Sequence, residues 1–360
     1  MVELLGKSKD ELRAICAAMG EPGYRGAQLY HALYAERKFD TAQMTNLPAA
    51  FRDRLAKETT ITLPRICQKF ASTDGSVRYL FGLENSLAVI NRESVRRASV
   101  EAVFMPSEGR QTICVSTQVG CAVNCQFCLT AQLGLISNLT PGEILAQVLL
   151  PLEENPSASP NDPIQTNVVL MGQGEPLLNF DSVMAALRVI LDPEGMGLSP
   201  KHVTLSTSGI VPGIEKLATE EVRPKLAISL NASNDEQRDV LMPINKKYPL
   251  KALLAACRAY PLRPWEHLTF EYVMLGGVND SAEDARRVVR LLAPLKRVKV
   301  NLIPWNPGEL PYHESTPDRI EAFRRILTDK GIPAFVRYSR GRDVMAACGQ
   351  LALLQIKTPA

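Results

Sequence analysis

The sequence has no run of 18 consecutive apolar residues, so hydropathy offers no membrane-spanning helix. Its opening stretch, MVELLGKSKDEL, puts acids and a lysine where the apolar part of a secretory leader would lie. The chain is therefore expected to be cytoplasmic, with no membrane partner. No Pro- or Gly-rich tract is long enough to act as a linker, and no sequence period repeats. With 360 residues at 46% hydrophobic, one large core and a smaller unit are expected. Charge of one sign is also scarce. The formal net charge is +3, and the segment Met1 to Ser99 carries 15 Lys and Arg against 11 Asp and Glu. The remainder is thus slightly acidic, and the basic end is compatible with a phosphate-rich partner, although such an excess is more often solvated surface.

Eight cysteines are present, and in a reducing compartment they point to metal binding or redox chemistry rather than a disulfide framework. Ser8 followed by Glu11 forms a capping-box pattern, after which Leu12, Ile15, Cys16 and Met19 recur at helical spacing. Cys16 is expected in the core. Tyr24 to Lys38 and Leu47 to Lys57 also read as helices, the second carrying Arg52, Arg54 and Lys57. Short alternating runs, VRYLFGL and LAVINRE, follow between Cys67 and Met105 and suggest antiparallel strands, with a soft boundary near residue 95.

From Thr112 onward strand-like runs (TICVST, NVVLMG, HVTLST, KLAISL, LTFEYVML, VKVNLIPW, AFVRYS) alternate with helical segments such as Asp181 to Leu191 and Ala282 to Leu292. That alternation predicts parallel βα units. Without a dinucleotide-binding glycine fingerprint, it favours an α/β fold with a partial or closed (β/α) barrel. The expected organisation is a helical, basic unit over 1–66, a β-rich connector over 67–105, the barrel over 106–345 and a C-terminal segment over 346–360. On this division the barrel should bind and cleave its cofactor without residues 1–90.

The loop GCAVNCQFCLTAQLG contains Cys121, Cys125 and Cys128 in C-x3-C-x2-C spacing, directly after a predicted strand. Three thiolates can hold three irons of a 4Fe–4S cubane and leave the fourth iron without a protein ligand. A structural zinc site normally takes a fourth Cys or His, so zinc or a fortuitous group of buried thiols is the lesser reading. The spacing is the signature of radical S-adenosylmethionine enzymes, and the second strand of the barrel ends in Gly172-Gln173-Gly174-Glu175-Pro176, similar to that superfamily's glycine-rich strand end.

Longer segments narrow the likeness. YRGAQLYHALY, CVSTQVGCAVNCQFCLTAQLG, NVVLMGQGEPLLN, VTLSTSGIVP, AISLNASNDEQRD, MPINKKYPL, NLIPWNP and VMAACGQL resemble the RlmN and Cfr group of RNA adenine methyltransferases over nearly the whole chain, the RlmN branch more closely. The resemblance implies that Gly174, Glu175, Ser206, Ser229, Leu230, Asn231 and Asn306 contact S-adenosylmethionine. As isolated residues the two serines would read as turn or cap positions. Asn231 departs from the group's common SLH pattern, and an amide cannot titrate near neutrality.

The same resemblance implies that Cys348 carries the methyl group and that Cys114 is the thiol that later forms a disulfide with it. Taken singly, both would be small buried residues, the reading kept for Cys67 and Cys257. Glu101, on the run VEAVFM, matches the group's candidate base for the adenine C2 proton. In an apolar pocket its pKa would rise enough to make it an effective base. Two S-adenosylmethionine molecules per turnover are implied, one as methyl donor and one as radical source, and Cys348 would pass the carbon to the base through a covalent protein–RNA adduct. The implied partners are 23S ribosomal RNA (the adenosine conventionally numbered 2503), transfer RNA (adenosine 37), a low-potential electron donor of flavodoxin or ferredoxin type, and a disulfide reductant. The enzyme is expected to be a monomer. Lys246 and Lys247 in MPINKKYPL are candidate phosphate contacts. A Cfr-type enzyme acting on C8, a glycyl-radical activase and a non-catalytic zinc or iron–sulfur RNA-binding module are the alternatives.

Overall fold

The capping box read at Ser8 is made in full: Glu11 N–H donates to Ser8 Oγ at 3.2 Å and Ser8 N–H to Glu11 Oε2 at 2.8 Å. It starts α1 (Lys9–Ala18), whose Cys16 is completely buried, as its helical spacing requires. The computed structural model describes residues 1–83, 99–156 and 164–351, so LAVINRE and the boundary near residue 95 lie outside the described residues. Helix α2 (Tyr24–Tyr34) stops earlier than the expected Lys38, and Arg37 adopts φ +55° just beyond it. Helix α3 (Ala49–Glu58) leads into β2 (Thr59–Thr60), which pairs in parallel with β1 (Val2–Glu3) and closes the unit on itself.

This unit shares its core with the rest of the chain. Leu4, Leu12, Leu29, Leu33 and Phe51 belong to one apolar cluster with the barrel strands and helices. Gly6, at φ +90°, approaches Gly142 so closely that a Cβ would lie 2.6 Å from its backbone nitrogen. Lys9 pairs with Glu194 at 2.8 Å. A cut after residue 90 would uncover this shared core and remove two strands of the main sheet, which weighs against the expectation that the barrel stands without residues 1–90.

Those strands are β3 (Arg65–Ala71) and β4 (Val77–Gly82), which run antiparallel with β5 (Ser99–Ser107) and β6 (Arg110–Val115). The connector is thus continuous with the barrel sheet. After β6 come a short hairpin, β7 (Gln118–Gly120) and β8 (Leu135–Asn138), and then α4 (Pro141–Glu154). The βα alternation follows: β9 (Gln165–Leu170), α5 (Phe180–Leu191), β10 (Val203–Thr207), α6 (Val211–Ala218), β11 (Lys225–Ser229), α7 (Asp235–Leu241), α8 (Leu250–Ala259), β12 (Leu268–Met274), α9 (Ala282–Leu292), β13 (Val298–Pro304), α10 (Pro317–Asp329) and β14 (Ala334–Val336).

The strand order is β14-β13-β12-β11-β10-β9-β6-β5-β4-β3, with every pairing from β6 to β14 parallel. The two ends do not pair among the described residues, so the barrel is partial. Its curvature shows in the lumen, where side chains from β6, β9, β10, β11, β12 and β13 line one chamber. A flat sheet could not bring them together. Strand β12 shows how the sequence builds this arrangement. Phe270, Tyr272 and Met274 are fully buried against the outer helices, while Thr269, Glu271 and Val273 alternate into the lumen. Each such buried apolar side chain contributes about 1.5–3 kcal/mol.

Cys257 is buried, but Cys67 is exposed, which corrects its reading as a core thiol. It lies on β3, the edge strand, whose residues alternate between exposed and half-buried, and a register irregularity falls beside it between Ile66 and Gln68.

Candidate active site

The three-cysteine loop leaves β7 and returns on β8, so a two-stranded ladder holds its feet. Three backbone bonds then fix its course: Cys121 N–H to Gly134 O at 2.9 Å, Gln126 N–H to Leu241 O at 2.9 Å, and Leu129 N–H to Gly349 O at 2.8 Å. The loop is thereby tied to its own hairpin, to α7 and to the C-terminal segment. Cys121, Cys125 and Cys128 line one cavity. Burial pushes the Cys121 thiol up to about 12, with Glu175 and Cys128 adding to the effect, and it raises Cys125 and Cys128 as well.

Such thiols resist ionising alone, and a bound cationic iron would replace their protons. Among the described residues, no three Cys, His, Asp or Glu side chains converge on a single ion. The thiols instead stand around a cavity, the arrangement that a cubane with one thiolate per iron requires. The donor set fits an iron–sulfur cluster.

Gly174, Glu175, Ser206, Ser229, Asn231 and Asn306 line the same cavity. Gly174 has φ +98°, and a Cβ there would lie 2.6 Å from Gln118 Cβ, so only glycine allows the GQGEP strand end to approach β7. The Glu175 carboxylate accepts from Ser208 N–H at 2.7 Å, Ser208 O–H at 2.6 Å and Leu177 N–H at 3.1 Å. Burial nevertheless raises its pKa against those bonds.

Asn231 adopts φ +55°, a conformation asparagine tolerates. Its Oδ1 accepts from Val273 N–H at 2.8 Å and its Nδ2 reaches Met242 Sδ at 3.3 Å, so the amide joins the ends of β11 and β12. Leu230 does not face the cavity. Its side chain is in the core, its N–H donates to Glu271 O at 2.9 Å, and its carbonyl accepts from Arg238 Nε at 3.1 Å.

A second chamber of about 490 Å³ adjoins the first, and both are lined by Cys128, Thr130, Glu271, Ile303, Cys348 and Gly349. Cys114 faces only the second. Burial and the charge of Cys348 push the Cys114 thiol to about 12, while burial and the charge of Glu271 push Cys348 to about 11. The Cys348 residue keeps an exposed surface while its thiol is enclosed among the residues that line both chambers, and its carbonyl is held by Asn306 Nδ2 at 3.1 Å. The far end of this chamber is basic, lined by Arg110, His202, Lys225, Lys299 and Arg337.

Glu101 lies on β5, two residues from Val103, which packs with Cys114, Ala346 and Leu351. Its carboxylate is almost fully buried and paired with the equally buried Arg78, and neither chamber is lined by it. The apolar pocket expected around Glu101 is thus corrected: a guanidinium occupies it. Lys246 and Lys247 are exposed, whereas Arg52 and Arg54 are engaged inside their own unit by the carbonyls of Ala42 and Met19. Glu271 was missed by sequence reasoning, although a lone carboxylate inside LTFEYVML was a visible signal. Arg238, buried on α7, carried no comparable signal.

Comparison with known proteins agrees with this geometry. The profile of the Radical SAM superfamily matches residues 115–292, and that of the Ribosomal RNA large subunit methyltransferase N-terminal domain matches residues 2–61. The "Probable dual-specificity RNA methyltransferase RlmN" of Koribacter versatilis is 48% identical, covering 94% of this chain and 99% of its own. The "Dual-specificity RNA methyltransferase RlmN" of Anaeromyxobacter sp. (strain Fw109-5) is 46% identical, covering 95% and 88%. A crystal structure of a radical SAM methyltransferase from Sphaerobacter thermophilus superposes with a TM-score of 0.88 at 40% identity, covering 98% of this chain and all of the other.

Proposed function

Because the chain belongs to the RlmN family of radical S-adenosylmethionine RNA methyltransferases, we propose that it methylates C2 of an adenosine in 23S ribosomal RNA and in transfer RNA, with Cys348 as the methyl carrier. The observation that carries this reading is the placement of Cys348 at the junction of two chambers, one lined by the three-cysteine loop and the other by Cys114. A carrier has to meet a methyl donor on one side and an acceptor base on the other.

Cys121, Cys125 and Cys128 would hold the 4Fe–4S cluster, and Gly174, Glu175, Ser206, Ser229, Asn231 and Asn306 would seat S-adenosylmethionine, with Leu230 contributing only through its backbone. The cluster, reduced by a flavodoxin- or ferredoxin-type donor, would supply the electron that converts a second S-adenosylmethionine into a 5′-deoxyadenosyl radical. The chain's own residues do the rest. Cys348 loses its proton and takes the first methyl by displacement, which releases S-adenosylhomocysteine. Once a hydrogen atom of that methyl has been lost to the 5′-deoxyadenosyl radical, the carbon has joined adenine C2, and one electron and the C2 proton have left the adduct, the Cys114 thiolate attacks Cys348 Sγ. The sulfur–carbon bond breaks as the disulfide forms, and its electron pair passes to the methylene carbon, which takes a proton to become the methyl group. A dithiol reductant then resets the pair.

Glu101 is the proposed base, on the sheet face that carries Cys114, with its carboxylate oriented by Arg78. The helical unit, through Lys57, and Lys246 and Lys247 near the barrel mouth are assigned to RNA phosphates.

The test is Cys114→Ala. The variant should fold, methylate Cys348, and accumulate a nuclease-sensitive RNA adduct that maps to Cys348, whereas Cys348→Ala should give neither adduct nor product. Normal turnover by Cys114→Ala would sink the two-cysteine mechanism. Mass spectrometry of digested RNA should show 2-methyladenosine, and 8-methyladenosine in its place would reject the C2 assignment.

A further inference from the structure

Arg238 is wholly buried, and among the described residues it makes no ion pair with a carboxylate. Its guanidinium gathers neutral oxygens instead: Nε donates to Leu230 O at 3.1 Å, Nη1 to Asn245 Oδ1 at 3.0 Å, and Nη2 to Ser208 O at 2.6 Å and Ser229 O at 3.0 Å. Asp235 and Asp239 are linked to it through Asn245, whose Nδ2 donates to both, at 2.9 and 2.7 Å, and their charges act on it without touching it. A buried guanidinium that no carboxylate contacts directly is costly, so any further negative group within its reach offsets part of that cost.

The cluster loop supplies one. Gln126 N–H is bonded to Leu241 O at the end of the helix that carries Arg238, and Leu241 and Met242 pack in one apolar cluster with Phe127, against Cys125 and Cys128. Cys125 and Arg238 are close enough for the charge of each to act on the other. The same guanidinium therefore sits behind the cluster loop and behind the carbonyls that end β10 and β11, where Ser208 and Ser229 line the cofactor cavity.

We propose that Arg238 is a positioning residue with two separable duties: its fork of N–H groups sets the two strand ends that seat S-adenosylmethionine, and its charge stabilises the reduced, more negative cluster. The mechanism is electrostatic preorganisation. Adding an electron to a thiolate-bound cluster increases its negative charge, and a fixed positive charge in a low-dielectric surrounding makes that step easier. The fork geometry matters because lysine has the charge but cannot reach several carbonyls in fixed directions. The proposal rests on the assignment of the cluster to Cys121, Cys125 and Cys128.

The test uses the full chain reconstituted anaerobically, reading the cluster midpoint potential by spectroelectrochemical titration and S-adenosylmethionine affinity by equilibrium dialysis. Arg238→Gln should lower the potential relative to wild type. Arg238→Lys should keep the wild-type potential yet bind the cofactor roughly tenfold more weakly. A cluster-loaded Arg238→Gln with an unchanged potential, or Arg238→Lys with undiminished affinity, overturns the proposal. Should Arg238→Gln fail to load a cluster, Arg238→Lys decides: weakened binding at wild-type potential supports the proposal, and a fallen potential despite the retained charge overturns it. Failure of the underlying cluster assignment would look different, as wild-type protein without iron or labile sulfide, and would remove this proposal with it.

Discussion

Glu271 is the residue whose chemistry is most sharply set by its surroundings. Burial in the lumen raises its carboxyl pKa, although Asn301 Nδ2 donates to it at 2.9 Å. The sign of the stability effect follows from that direction. A carboxyl raised in the native state binds its proton more tightly there than in the unfolded chain, so stability is greatest at low pH and falls as pH rises through the native value. Glu271→Gln removes this penalty while keeping an oxygen to accept from Asn301. Its melting temperature should exceed that of wild type at pH 7, and the gap should close as pH falls below the ordinary carboxylate range. A gap that persists at low pH would mean that packing, not ionisation, separates the two proteins. The strand position of Glu271 was readable from the period-two pattern of LTFEYVML. Its lumen neighbours were not, because they come from other strands.

At the scale of elements, the C-terminal segment after β14 has the clearest mechanical role. It spans the gap between the ends of the open sheet. Asp74, in the turn between β3 and β4, accepts from Gly341 N–H at 2.9 Å, and Asp343 accepts from Thr73 N–H at 3.0 Å. At the other end Gly349, Leu351 and Cys348 are bonded to Leu129, Thr130 and Asn306. Burial would push the Asp74 carboxyl up, but donors from Gly341, Ser76 and Ser72 outweigh it and hold it well below the usual carboxylate range. That contribution is present above the unfolded pKa and is lost as pH falls through the native one. Asp74→Asn should therefore speed hydrogen exchange of the amides over 341–349 at neutral pH without changing that of β11 or β12. Unchanged exchange in the segment would show that the sheet-edge clamp does not hold it. Cys348 was assigned from AACGQL by resemblance, but the clamp that carries it to the chamber joins residues over 260 positions apart, and no local pattern encodes such a bond.

For the whole molecule, the decisive feature is a single apolar cluster running from the N-terminal helices into the barrel. Leu4, Leu12, Leu29, Leu33 and Phe51 each contribute about 1.5–3 kcal/mol by burial, which is large against the margin of a folded domain. A chain lacking residues 1–60 should aggregate, or elute as an expanded species that binds a hydrophobic dye. Recovery of a monomeric truncated protein that loads its cluster would show that the barrel core closes without the helical unit.

The βα alternation from Thr112 onward, the N-terminal helices to within a turn and the three-cysteine loop were legible in the residue pattern, because periodicity, caps and ligand spacing are local properties of a chain. Gly174 and Asn231 were likewise visible as exceptional residues. Neither the guanidinium that faces Glu101, nor the exposure of Cys67 on an edge strand, nor the convergence of Arg238 on two strand ends and the cluster loop could be read in this way. Each depends on which elements become neighbours, and that is settled only when the sheet curls and its helices pack, bringing charges far apart in sequence within reach of one another.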